Sequence, residues 1–164
     1  MRKTFATLDD VLIERVFQPL SDAMADHLGL SRARAATTCI ELSAIAWVLS
    51  QAPDLSDAVL GWQAASSFVH AVLLLLGLTA LLSLRRLFRR ISAEATANPL
   101  RPAMQPHRGV VLLLLAAKMV GAQQMGMTEA ADMAMLGLVT AGLYLGACAA
   151  RPPMQRVAGL PQAA

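Results

Sequence analysis

Four apolar stretches divide this chain, and every Lys and Arg except Lys118 lies in a segment that alternate crossings would put on one side. In a membrane protein the cation-rich side is cytoplasmic, so one pattern predicts both the solvent and the orientation. Positions 1–36 carry five Lys/Arg, positions 85–108 carry six, and the last segment carries two. The two intervening loops carry none and hold Asp54, Asp57, Glu129 and Asp132 instead. Both termini are therefore expected on the cytoplasmic face, and the richness in Ala and Arg points to a bacterial inner membrane.

Composition agrees with lipid as the medium. Hydrophobic residues make up 56% of the chain, charged residues 15%, and the mean hydropathy is +0.52. Soluble domains are charged at about a quarter of their positions. The spans are expected at about 36–52, 59–84, 109–127 and 131–150, so that residues 36–150 form one transmembrane domain. Residues 1–35 precede it as a cytoplasmic segment, and residues 151–164 follow as a cytoplasmic tail. The fold class is all-α: a polytopic membrane protein with four transmembrane helices and an N-terminal amphipathic interfacial helix. A pI near 9.4 would also suit nucleic acid. Here the basic residues flank lipid-length segments, so anionic headgroups are the expected partner and nucleic acid is not. Cys39 and Cys148 fall near cytoplasmic span ends, where a structural disulfide is not expected.

Residues 8–28 read as the amphipathic helix. Leu8, Leu12 and Val16, with Val11, Ile13 and Phe17 beside them, give an apolar face, while Asp10, Glu14 and Arg15 mark the wetter side. Pro19 is expected to break this helix and Gly29 to end it. Five basic and five acidic residues balance over positions 1–36. A helix held by lipid alone would be more basic, so docking on protein fits better. Pro53, Asp54, Ser56 and Asp57 read as a compact acidic loop. Residues 91–108, with Pro99, Pro102 and Pro106, read as an irregular loop. The arginines of 85–90 are expected to continue the second span's helix.

Ionisable groups at membrane depth are costly, so they are the first site candidates. At 1.5 Å per residue, Glu41 lies roughly 7 Å from the cytoplasmic end of its span and Lys118 roughly 13 Å. A lysine stem spans that difference, and a Glu41–Lys118 bridge between the first and third spans is expected to fix helix register. A proton or ion pathway is the alternative, a poor one for a single pair. His70 is the only histidine inside a span. Its neutral ring suits an interhelical hydrogen bond, or ligation of a haem or chlorophyll-type pigment. Met125, Met127, Met133 and Met135 bracket the outer turn as two Met-x-Met pairs. Thioethers suit Cu(I), but alternate helix positions face different directions, so core filling is the stronger reading.

Two further groups bear on packing and the surface. Gly142 and Gly146 form a small-xxx-small pair that permits close helix approach, to an internal helix or another subunit. Arg85, Arg86, Arg89 and Arg90 share one broad helical face suited to anionic headgroups or an acidic partner. No phosphate-binding glycine loop, metalloprotease spacing, nucleophile elbow or Cys-x-x-Cys pair occurs, and no enzyme is expected. The leading expectation is a non-catalytic accessory or assembly subunit of a larger membrane complex, or a homo-oligomer, acting through lateral packing. A small oligomeric transporter or channel using Glu41, His70 and Lys118 is the alternative. A haem, pigment or copper carrier is the second.

Overall fold

The computed structural model describes residues 8–61, 64–91, 100–121 and 126–149. They are all-helical, with no strand among them. Helix α1 covers 8–28, α2 Arg32–Leu60, α3 Ala64–Ile91, α4 the single turn Leu100–Ala103, α5 Gln105–Gly121 and α6 Met127–Ala147. Two of these, α3 through Ala65–Arg89 and α6, are long and apolar enough to cross a membrane.

Pro19 does not break α1. The helix widens to π form over Ile13–Phe17, where the Gln18 N–H reaches back to the Ile13 carbonyl, and Pro19 falls in the first turn of the α-helix Gln18–Leu28. A proline ring clashes with the carbonyl four residues earlier in a regular helix. Widening the preceding turn accommodates it without a break. Gly29 then ends α1 in the left-handed region at φ 63, and the N–H groups of Gly29 and Leu30 both bond the Met24 carbonyl. Glycine tolerates this conformation because it has no Cβ.

The long helices run in alternating directions. α6 packs most extensively on α2, α2 also on α3, and α5 on α6, so that α3 and α5 lie on opposite flanks of the α2–α6 pair. The core sits where α2 meets α6: Ala35, Ala36 and Ile40 against Val139, Leu143 and Leu145, with Phe88 closing it from α3. Small residues line the inner face of α2. Buried Ser43 and Ser50 donate to the Ile40 and Trp47 carbonyls of their own helix, so neither needs a partner across the interface. On α3, Gly77 lies directly beneath the Trp47 indole, whose Nε1 donates to the Leu74 carbonyl at 3.3 Å.

Several expected boundaries move. The acidic loop at 53–57 is instead helix, since α2 continues through Pro53 to Leu60. The helix is held beyond the proline: Ser56 Oγ donates to the Pro53 carbonyl, and Gly61 N–H closes the end on Asp57. The span expected at 36–52 is thus the middle of a 29-residue helix. α3 begins at Ala64 rather than 59 and, as its arginines suggested, runs on to Ile91. The irregular loop expected over 91–108 contains α4, and α5 already starts at Gln105. Pro106 stands in its first turn, where a missing N–H costs nothing. α6 begins at Met127, which places Glu129 in a first helical turn rather than in a loop. Residues 92–99, Met125 and the expected tail 151–164 lie outside the described residues.

Candidate functional site

The most heavily built region is the arginine-rich end of the bundle, where α1 crosses the ends of α5 and α6. Arg108, in the first turn of α5, is fully buried. Its Nε and Nη2 donate to the two carboxylate oxygens of Asp9 at 2.9 and 2.5 Å, a bidentate pair. Nη2 also donates to the Arg101 carbonyl at 2.8 Å. The guanidinium carbon lies 5.6 Å from the Tyr144 ring centroid, within cation–π range. Phe17 stacks on the same tyrosine: its ring centroid is 4.8 Å from that of Tyr144, at 15°. Beside this cluster, Arg101 Nη2 bonds both Asp10 and Glu14 at 2.9 Å. These hydrogen bonds, Glu14 first, raise the Arg101 pKa above its ordinary value.

Two more side chains lock the end of α6. Gln18 brackets the Ala149 peptide, accepting from its N–H at 2.9 Å and donating to its carbonyl at 3.4 Å. Arg32 donates to the Cys148 carbonyl. A cation beside the last carbonyls of a helix also complements its dipole. Docking of α1 is therefore intramolecular. Ile13, Phe17, Ser21 and Met24 turn inward, while Leu8, Val11, Val16 and Leu20 are exposed, a different apolar face from the one that spacing suggested. Three of its five acidic residues, Asp9, Asp10 and Glu14, are held by Arg101 and Arg108.

The expected Glu41–Lys118 bridge does not form. Glu41 accepts from Arg85 Nε at 2.6 Å and lies 3.7 Å from Arg89. Lys118 bonds Asp132 at 3.0 Å, at the opposite end of the bundle. The reason is topological. α2 packs on α3, α5 packs on α6, and α6 stands between α2 and α5. His70 Nδ1 lies 2.8 Å from the Ser66 carbonyl of its own helix, so the interhelical bond expected of it is absent among the described residues. Glu41, His70 and Lys118 share no site.

The glycine pair resolves in favour of an internal partner. A Cβ at Gly142 would stand 2.9 Å from Ile40 Cδ1 and 3.3 Å from the Ala36 carbonyl oxygen; one at Gly146 would stand 2.8 Å from Phe88 Cε1. The methionines diverge: Met127 is exposed, Met133 lines a surface cavity and Met135 packs on the core. Among the arginines, Arg85 and Arg89 flank Glu41, Arg86 is exposed, and the Arg90 side chain lies outside the described residues. A cavity of about 530 Å³ opens beside this cluster, lined by Ser31, Arg34, Thr37, Thr38, Glu41 and Arg89.

Sequence reasoning missed Asp9, Arg108, Tyr144 and Gln18. The only available signal was that the chain's single tyrosine falls near the cation-rich end of the last helix. No family model matches this chain, and no curated protein or solved structure is found similar to it.

Proposed function

We propose that this chain is a non-catalytic accessory or assembly subunit of a larger cytoplasmic-membrane complex, spanning the bilayer with α2, α3, α5 and α6 and keeping both termini cytoplasmic. The observation that carries this reading is the apolar surface left uncovered. Only 6% of the most apolar stretch of α3 is buried within the chain, and 39% of that of α6. A core helix of a soluble protein would bury most of such a stretch. Phe68, Leu75 and Leu76 on α3, Ile45 and Leu49 on α2, and Leu113 and Val120 on α5 extend the exposed belt over three flanks. Lipid or a neighbouring subunit satisfies such a belt; water does not.

The polar groups support packing over transport. Glu41 and Lys118 each have an oppositely charged neighbour on an adjacent helix, and His70 bonds its own backbone. A conducting path needs such groups along one route. α1 is occupied in tying the helix ends together, which leaves the outer helix faces for lateral contact and the arginines for anionic headgroups. Extraction in gentle detergent followed by mass spectrometry is expected to recover additional membrane subunits with the chain. Recovery of a lone monomer would count against the assembly role.

A further inference from the structure

The cavity at the junction of α2 and α3 has the chemistry of a phospholipid site. Arg34 and Arg89 line it from different helices, together with Ser31, Thr37 and Thr38. The one carboxylate in its wall, Glu41, is held by Arg85 at 2.6 Å, so the cavity keeps a net positive charge. Arg34 has no acidic partner among the described residues, and Arg89 reaches Glu41 only at 3.7 Å. Guanidinium forks of this kind match a phosphate's oxygens.

A second observation distinguishes a lipid from a free anion. From Arg34 and Thr38, positions 42, 45 and 49 continue down the same face of α2, and they are Leu42, Ile45 and Leu49, all exposed. From Arg89, steps of seven residues down α3 reach Leu82 and Leu75, also exposed. Both stripes lead away from the cavity. The run from Thr38 to Leu49 covers about 16 Å of helix, and one leaflet's hydrocarbon is about 15 Å thick. The surface thus has the chemistry of an amphiphile: a cavity lined by cations and hydroxyls, then two apolar tracks of acyl-chain length.

We propose that Arg34 and Arg89 bind the phosphate of an anionic phospholipid whose chains lie along the Thr38–Leu49 and Arg89–Leu75 faces. The proposal rests on the membrane reading above. Full-length protein purified in mild detergent and exposed to phosphatidylglycerol or phosphatidylcholine is read by native mass spectrometry. Phosphatidylglycerol is expected to be retained preferentially. Each cation beside an anionic headgroup is worth about fivefold in affinity, so Arg34→Gln/Arg89→Gln is expected to weaken retention by roughly 25-fold. Arg15→Gln, which removes a single charge on exposed α1 outside the cavity lining, is expected to leave it unchanged. Equal retention of the two lipids, or no effect of the double variant, overturns the proposal. Displacement by millimolar inorganic phosphate would overturn the lipid assignment in favour of a soluble anion. Carbonate washing of membranes keeps the two readings apart. Protein that stays integrated but shows no lipid preference fails here alone, whereas protein released by the wash fails the membrane reading itself.

Discussion

Removing Arg108 tests the part of the structure that depends most on a single long-range contact. Arg108→Met would leave the Asp9 carboxylate in an almost fully buried site, stripped of the two guanidinium bonds at 2.9 and 2.5 Å that neutralise it. Breaking one side of such a buried pair costs about 3–5 kcal/mol. The loss falls on the docking of α1 rather than on the α2–α6 core, because Asp9 belongs to α1 and the core residues are elsewhere. At about 1.36 kcal/mol per decade, that predicts opening of α1 at least 10²-fold more often. Amide hydrogen exchange of residues 8–28 reads this directly. The pair itself is a weaker asset than either partner's deletion suggests, since Arg108 Nη1 is buried with no hydrogen-bond partner among the described residues. Asp9→Leu/Arg108→Met is therefore expected to return α1 to within about 1 kcal/mol of its original docking, apolar replacement of buried pairs being often neutral. An Arg108→Met effect below about tenfold in exchange, or a double variant as loose as the two single variants combined, would refute the reasoning.

Other outcomes follow from contacts already described. Gly146→Leu must displace the Phe88 ring and is expected to cost about 1–3 kcal/mol in detergent thermal unfolding. Gly137→Ala, on the same helix with nothing within 4 Å of the added carbon, should be neutral or stabilise by up to about 1 kcal/mol. Gly77→Ala is expected to push the Trp47 indole off the Leu74 carbonyl, visible as a shift in tryptophan emission as well as a lower melting temperature. Glu41→Gln and Lys118→Met remove half-exposed pairs and should each cost less than about 1 kcal/mol. A larger loss from either would mean that its surroundings are drier than the described contacts imply.

The helical class was legible from the sequence because hydrophobic runs of this length have few other solutions. The opposed directions of α2 and α3, and of α5 and α6, also followed, since short connections between long helices leave little choice. Gly142 and Gly146 could be recognised as a close-approach surface from spacing alone; that the approaching groups are Ile40 and Phe88 could not. The boundaries failed where proline was read as a stop. At Pro19 the chain keeps its helix because the preceding turn widens to clear the ring, and at Pro53 because the flanking hydrogen bonds hold the turn. At Pro106 proline opens a helix instead of extending a loop.

What the sequence determined by itself is what depends on composition and the length of apolar runs: helices, and the gathering of cations at alternate ends; which apolar face α1 buries was not among these. Pairing among charged groups was decided only in three dimensions. Depth arithmetic made Glu41 and Lys118 partners, yet the order in which helices pack sets α6 between their helices and gives each a nearer counter-charge. Asp9 and Arg108 lie 99 residues apart, and no spacing rule connects them. They meet because α1 folds back across the ends of α5 and α6, where a buried guanidinium demands a carboxylate and only the assembled bundle brings one within reach.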